Sequence, residues 1–285
     1  MSGPAGPLPA RAWAVVADAI GHLNADDGWA MASHVALSGL MAVFPFIIFV
    51  AALAGFIGQD ALAARVVEIL FATWPAEVAG PIAGEVQRIL TPAHGRLLTV
   101  SAAVAVYLAS NGVEAARTAL NRAYRVVDRR PVLFRRLQSL AFVLVGAVSV
   151  LVLAALAVLG GVAFERLAAA VPALGPFEGA FGAARIAVTG VVLIAVLAGS
   201  HVLLPAGRPH WLRLWPGIAV TLGLWLASAW TFAAYLRSYA NLAATYAGLA
   251  GVVTAIVFLY VIALALIFGA EFNASLGRLR ERRIG

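Results

Sequence analysis

The sequence predicts an all-α polytopic membrane helix bundle with six transmembrane helices, and three observations lead to this prediction. Of the 285 residues, 63% are hydrophobic and only 12% are charged, whereas a soluble domain carries roughly 25% charged residues. Six apolar stretches approach the length of roughly 20 residues with which a helix crosses a bilayer. The basic residues, all of them arginine, are concentrated in alternate connections between these stretches.

The six apolar stretches follow one another along the whole chain. The second is the shortest, because Ser110, Asn111 and Glu114 introduce polar groups before full spanning length is reached. The six predicted spans are 33–57, 97–113, 137–164, 181–204, 212–236 and 246–272.

The chain is predicted to form a single transmembrane domain, 1–285, with polar segments at its ends. Residues 1–32 form a cytoplasmic N-terminal segment and residues 274–285 a cytoplasmic tail. The longest connection, 59–96, carries apolar residues at helical spacing in two stretches separated by Trp74 and Pro75. This pattern predicts two short amphipathic extracytoplasmic helices that lie on the membrane surface or cap the bundle.

The distribution of arginines predicts the orientation of the spans. Fourteen of the 20 arginines lie at the two termini, between the second and third spans, or between the fourth and fifth spans; six lie in or near the other connections. Connections rich in arginine stay in the cytoplasm. The count therefore predicts an even number of spans with both termini cytoplasmic.

The first candidate site is a polar face near the end of the second span. Tyr107, Asn111 and Glu114 follow one another at i, i+4 and i+7, so they share one face of a helix. Polar groups inside a bilayer are costly and often mark a pathway for substrate. Two interpretations are open: a polar wall lining a cavity, or a span that simply ends here at the cytoplasmic interface.

The second candidate site is the basic segment that follows. Its arginines could dock anionic lipid head groups or nucleic acid, and the topology rule alone also accounts for them. The arginines of this segment are Arg122, Arg125, Arg129, Arg130, Arg135 and Arg136.

Two further candidates lie near the ends of the last two spans. Arg237, Tyr239 and Tyr246 form a connection that could hold an anionic head group, although interfacial tyrosines are also ordinary membrane anchors. Glu271 lies near the end of the sixth span, where an acid opposes the helix dipole. It is therefore expected to pair with an arginine of the basic segment or the tail, either as part of the substrate site or as a packing ion pair.

The sequence lacks the common motifs of catalysis. It has no cysteine, and it contains no nucleophile elbow, P-loop, dinucleotide fingerprint or zinc-protease motif. Its acids do not form the close group that a two-metal nuclease needs. We therefore expect no enzymatic activity, no metal and no cofactor.

Three stretches resemble the YihY/BrkB family of bacterial inner-membrane proteins, formerly labelled ribonuclease BN. They are ALSGLMAVFPF at 36–46, LNRAYRV at 120–126 with FRRL at 134–137, and a tyrosine-rich stretch at 235–248 with GAEFNA at 269–274. The chain departs from the family pattern in having alanine between Tyr246 and Gly248. The resemblance covers nearly the whole chain and implies six transmembrane helices in the inner membrane. The ribonuclease label is regarded as a misassignment, and members have been linked to serum resistance and envelope lipid export.

The leading functional hypothesis is a transporter or flippase-like protein for an anionic lipid or other amphiphile in envelope biogenesis. The expected partners are membrane lipids, the anionic substrate and further copies of the chain, with no nucleic acid. An alternative is a non-transporting envelope scaffold that binds a partner protein through the helices of 59–96. A ribonuclease is a third hypothesis, for which the sequence offers no site.

Overall fold

A computed structural model describes residues 8–56, 95–207, 213–243 and 247–281, and every regular element in these ranges is a helix. The all-α prediction is confirmed for this part of the chain. The elements are α1 (Leu8–Ala25), α2 (Gly28–Phe56), α3 (Gly95–Ala123), α4 (Val132–Ala170), a 3₁₀ helix (Pro172–Phe177), α5 (Glu178–Leu203), α6 (Trp215–Ala243) and α7 (Ala247–Glu281).

Four helical stretches in the described ranges are long and apolar enough to cross a membrane. They overlap the third to sixth predicted spans, with ends that differ by up to eight residues. Helix α2 adds a shorter apolar stretch, Gly28–Val43, and α3 is a continuous helix of 29 residues. The amphipathic helices predicted within 59–96 lie almost entirely outside the described residues. The four stretches are Val132–Leu156, Ala173–Leu203, Trp215–Ala234 and Val253–Leu279.

Several helices extend past the apolar stretches that predicted them. Helix α4 begins at Val132 rather than at 137, and α7 continues to Glu281 through much of the expected tail. The segment 1–32 contains α1 and the first turn of α2. Apolar length underestimates these helices because their polar ends form hydrogen bonds and ion pairs with neighbouring elements.

Small residues bring two pairs of helices into close contact. A Cβ atom added at Gly112 of α3 would lie 3.1 Å from the Cβ of Ala42 on α2. A Cβ atom added at Gly217 of α6 would overlap the carbonyl oxygen of Gly269 on α7. Such close approach of helix backbones is typical of membrane bundles, where van der Waals packing replaces the hydrophobic effect.

The polar ends of the helices meet at one end of the bundle. Arg278 of α7 donates to Asp18 of α1 at 2.6 Å, and Asn273 of α7 accepts from the backbone of α6 at Gly217. Residues 121–136, 203–207 and 271–278 all lie here, and this region is termed the basic end. At the far end of α4, Phe164 stacks on Phe181 of α5.

Candidate functional site

A tight turn at the end of α3 starts the basic segment. The Val126 N–H donates to the Asn121 carbonyl and the Arg125 N–H donates to the Arg122 carbonyl, both at 2.9 Å. These two bonds form a Schellman motif, in which the residue with positive φ is usually glycine. Here it is Arg125, with φ 55°, which costs about 1 kcal/mol.

Two carboxylates flank the side chain of Arg125. Its guanidinium lies 3.8 Å from Asp26 and 3.6 Å from Glu271. The Glu271 side chain is only 1% exposed, so it needs a cation nearby. Arg125 is thus the arginine partner that the sequence predicted for Glu271, and the ion pairs hold the turn against α7.

Arg117 is the centre of a buried polar network between α3 and α4. Its side chain is 2% exposed and forms an ion pair with Glu114, and its Nε lies 3.8 Å from Asp128. It also donates to the Arg135 carbonyl at 2.8 Å and to Ser139 at 3.1 Å. Ser139 in turn donates to Glu114 at 2.9 Å.

Asp128 joins this network to the end of α5. Arg130 binds both of its carboxylate oxygens, at 2.8 and 2.7 Å, and this hydrogen bonding lowers the pKa of Asp128 well below its ordinary value. Arg130 also donates to the Leu204 carbonyl at 2.6 Å. It thereby satisfies a helix-end carbonyl that has no partner within α5.

Asn121 makes a second connection between the segment after α3 and the end of α5. Its side-chain nitrogen donates to Asp128 at 3.3 Å, and its side-chain oxygen accepts from the Ala206 N–H at 2.8 Å. The loop after α3, the start of α4 and the end of α5 are therefore held together by hydrogen bonds between side chains and backbone.

Replacing Asp128 with asparagine is expected to destabilise the protein by about 1.5–3 kcal/mol at neutral pH, because the bonds from Arg130 lose their charged acceptor. The lowered pKa of Asp128 means that its stabilisation is present above the unfolded value, near 3.8, and is lost as the pH falls below it. The melting temperatures of wild type and variant in detergent should therefore differ at neutral pH and converge as the pH falls below the pKa of the unfolded state.

The control for this experiment is Asp27→Asn, since Asp27 is 72% exposed and pairs with exposed Arg122. This variant should melt like the wild type, because exposed ion pairs contribute little. A difference for Asp128→Asn that stayed constant from neutral pH into strong acid would contradict the role assigned to its charge.

A cleft of about 290 Å³ lies between α3 and α4 beside this network. Arg136 donates to the Asn111 side chain and to the Tyr107 carbonyl, each at 2.9 Å, and its guanidinium carbon lies 3.7 Å from the centre of the Tyr107 ring. The predicted polar face of α3 thus meets α4 here. The residues lining the cleft are Tyr107, Glu114, Val132, Arg135 and Arg136.

Positive charge exceeds negative charge around this cleft. Arg117 and Arg130 engage the two nearby carboxylates, Glu114 and Asp128. Within the described ranges, neither Arg135 nor Arg136 forms an ion pair, and the Nε of each is buried without a hydrogen-bond partner. Two guanidiniums therefore lack a counter-charge at this cleft.

The other predicted site residues lie away from the cleft or outside the part of the chain that the structure describes. Arg122 pairs with the turn between α1 and α2, and Arg125 pairs with the same turn and with α7. Arg129 is exposed and lines no part of the cleft. Arg237 and Tyr239 belong to α6, but their side chains are outside the described part, as is the whole of Tyr246. The predicted basic segment is therefore divided into two clusters on different elements.

A second buried network was not anticipated as a unit from the sequence. Asn273 donates to the Tyr124 hydroxyl at 3.3 Å and to the Leu214 carbonyl at 3.0 Å. The Tyr124 hydroxyl lies 2.9 Å from Nδ1 of His201. Burial raises the pKa of Tyr124, so this hydroxyl stays protonated. The signal in the sequence was His201 inside the fourth predicted span and Asn273 directly after the sixth.

Comparison with known proteins agrees with this architecture. A family model described as virulence factor BrkB matches residues 19–284. The chain belongs to the BrkB family. It is also 27% identical over 257 residues to a protein of Bacillus subtilis (strain 168) named putative ribonuclease-like protein YfkH, with 90% of this chain and 92% of that protein covered. No solved structure matches.

Membership of this family and the four apolar helices identify a multi-pass membrane protein, as the resemblance implied. In the part of the chain that the structure describes, no three histidine, aspartate or glutamate side chains come together as a candidate metal site. The relative's name is ribonuclease-like, and a name of that kind is not evidence of catalysis in this chain.

Proposed function

We propose that this BrkB-family protein is a transporter or flippase-like protein of the inner membrane, which moves an anionic lipid or amphiphile. In this proposal six helices, α2 to α7, cross the membrane, with both termini and the basic end in the cytoplasm. The distribution of arginines along the sequence supports this orientation.

The observation that carries the proposal is the cleft between α3 and α4 with its two uncompensated guanidiniums. An arginine fork matches the oxygens of a phosphate or carboxylate and binds them with charge-assisted hydrogen bonds. Arg135 and Arg136 offer this chemistry where the nearby acids are engaged by Arg117 and Arg130. An anionic head group would supply the missing counter-charge.

The contacts of Arg136 suggest how a bound head group would affect the bundle. Arg136 is held on α3 by Asn111 and by the ring and carbonyl of Tyr107. A phosphate in the cleft would compete for this guanidinium and weaken the contact between α3 and α4. We propose that this exchange lets the head group pass along α3 toward Arg237, Tyr239 and Tyr246 at the opposite membrane surface.

The proposal is tested by translocation of a fluorescent anionic lipid in proteoliposomes. The variant carries Arg135→Gln and Arg136→Gln, and Arg129→Gln is the matched control because Arg129 is exposed and outside the cleft. Each charge-assisted hydrogen bond contributes about 1.5–3 kcal/mol, so the double variant should translocate the lipid at least roughly tenfold more slowly at limiting lipid. The control should retain the wild-type rate.

Equal rates for the double variant and the wild type would contradict the site. The wild-type protein, inserted in the liposomes in the orientation that the assay reports, could bind the lipid without accelerating its translocation. In that case the proposal of transport would be wrong and the non-transporting alternative would be favoured. Folding of each variant is checked by its melting temperature, because Arg136→Gln also removes the hydrogen bonds to Asn111 and Tyr107 that join α4 to α3.

A further inference from the structure

The cleft between α3 and α4 opens at the outer surface of the helix bundle. Of the residues that line it, Tyr107 on α3 is 54% exposed and Val132 on α4 is 71% exposed. The hydrogen bonds from Arg136 to α3 are also exposed rather than enclosed. A ligand therefore approaches the cleft from outside the bundle, and the surface around the opening determines where that ligand comes from.

The surface around the opening is apolar on both helices. Exposed apolar side chains continue the face of Tyr107 on α3, and others follow Val132 and Arg136 on α4. An exposed apolar surface of this extent is unfavourable in water and marks contact with a membrane or another apolar partner. These side chains are Val104 and Leu108 on α3, and Leu133, Leu137 and Leu144 on α4.

The charges along α4 place the two guanidiniums at the depth of lipid head groups. Arg136 is followed by an uncharged stretch, 137–164, which ends before Glu165 and lies entirely within α4. This stretch is about 42 Å long, and a bilayer is about 40–45 Å thick when its head-group layers are included. Arg135 and Arg136 therefore lie where the phosphates of one leaflet lie.

The other side of the cleft, toward the end of α3, is closed by polar contacts. Glu114 follows Tyr107 by seven residues, about 10 Å along the helix. It is ion-paired with buried Arg117 and accepts from Ser139 of α4 at 2.9 Å. These contacts tie α3 to α4 on the side that faces the cytoplasm, and the carboxylate disfavours the approach of a soluble anion from there.

We infer that the cleft opens sideways into the cytoplasmic leaflet and takes the phosphate of a phospholipid that stays in the bilayer, not a soluble anion. The acyl chains of this lipid lie against Val104 and Leu108 on α3 and against Leu137 and Leu144 on α4. Leu144 is about 12 Å along the helix from Arg136, within the thickness of about 15 Å that one leaflet contributes to the hydrocarbon core.

This inference rests on the proposed function, because it names the kind of ligand and the direction of entry for the same cleft. It concerns binding and not movement across the membrane. A protein that binds the lipid in this way and does not translocate it would contradict transport and leave the inference standing.

The test uses the absence of cysteine in the chain. Leu137→Cys places a fluorescent label beside the cleft, and Leu203→Cys places the same label on α5. The two positions match in exposure, at 56% and 54%, and in depth, because Gln138 donates to the Leu203 carbonyl. Each full-length labelled protein is put into nanodiscs of phosphatidylcholine with a minor fraction of phosphatidylglycerol, whose acyl chains carry bromine near their carboxyl ends and quench the label on contact.

Quenching at Leu137→Cys should correspond to roughly tenfold enrichment of the brominated lipid, as expected for a charge-assisted phosphate contact. Leu203→Cys should report the bulk fraction. A large excess of glycerophosphoglycerol in the buffer, which is the same head group without acyl chains, should leave the enrichment unchanged. These comparisons need no substitution of an arginine, so they do not depend on the folding of a charge variant.

Substitution of the arginines then assigns the contact to the cleft. Arg135→Gln with Arg136→Gln should reduce quenching at Leu137→Cys to the bulk level, and Arg129→Gln should not change it. Equal quenching at the two labels would overturn the inference. Displacement of the lipid by glycerophosphoglycerol would also overturn it, because the cleft would then be open to water while remaining an anion site. Enrichment that persists in the double variant would contradict both the inference and the proposed cleft.

Discussion

Replacing Arg117 with methionine is expected to destabilise the protein more than any other single substitution at the basic end, by about 3–5 kcal/mol. Methionine fills much of the same volume, but it leaves Glu114 without its ion-pair partner and removes one cation beside Asp128. It also leaves the Arg135 carbonyl without its donor. Purified protein in detergent should show a strongly lowered melting temperature or fail to be recovered in folded form.

Two further variants distinguish this network from a general effect of losing an arginine. Arg122→Met removes a guanidinium that is 45% exposed and pairs with exposed Asp27, so the melting temperature should hardly change. Arg117→Lys keeps the charge but loses the planar fork, and its stability should fall between those of wild type and Arg117→Met. A melting temperature for Arg117→Met equal to that of Arg122→Met would contradict the central place of Arg117.

The second large effect is expected where α6 and α7 are in closest contact. In Gly217→Ala, the added methyl group would overlap the Gly269 carbonyl and the Asn273 side chain. The helices must then separate, and Asn273 loses its bond from the Gly217 N–H, which is 2.7 Å long in the wild type. Overpacking costs about 1–3 kcal/mol and the lost buried bond about 1–3 kcal/mol more.

The matched control lies on the same helix. A Cβ atom at Gly223 would meet no other atom within 4 Å, so Gly223→Ala is expected to raise stability slightly through the better helix propensity of alanine. Thermal unfolding of the two variants should therefore shift in opposite directions. Two shifts of the same sign and size would show that the contact between Gly217 and Gly269 does not determine how α6 and α7 pack.

Much of the helical architecture was predictable from hydrophobic length, because lipid requires long apolar helices. The pair formed by Glu114 and Arg117 was also predictable from its spacing. The role of Asp128 was not, because it depends on the turn after α3, where Arg125 occupies the positive-φ position that glycine usually marks. A sequence pattern gives no warning of such a turn.

The basic segment shows why a candidate site is harder to predict than a fold. Its arginines are equivalent in sequence, yet Arg130 is neutralised by Asp128 and Arg125 by Asp26 and Glu271, while Arg135 and Arg136 keep their charge uncompensated. Tertiary contacts between residues as far apart in the sequence as Arg125 and Glu271, which are 146 positions apart, determine which arginines are neutralised. Topology explains why the segment is basic, and packing determines where it can bind an anion.

The anion site between α3 and α4 is tested most directly by an experimental structure of the protein in nanodiscs made with phosphatidylglycerol, at a resolution that shows lipid phosphates. A phosphate is expected between α3 and α4, within hydrogen-bonding distance of the guanidiniums of both Arg135 and Arg136, while Glu114 and Asp128 keep their contacts with Arg117 and Arg130. A cleft that contains no phosphate under these conditions, with Arg135 and Arg136 paired instead to acids of the chain, would show that the cleft is not an anion site.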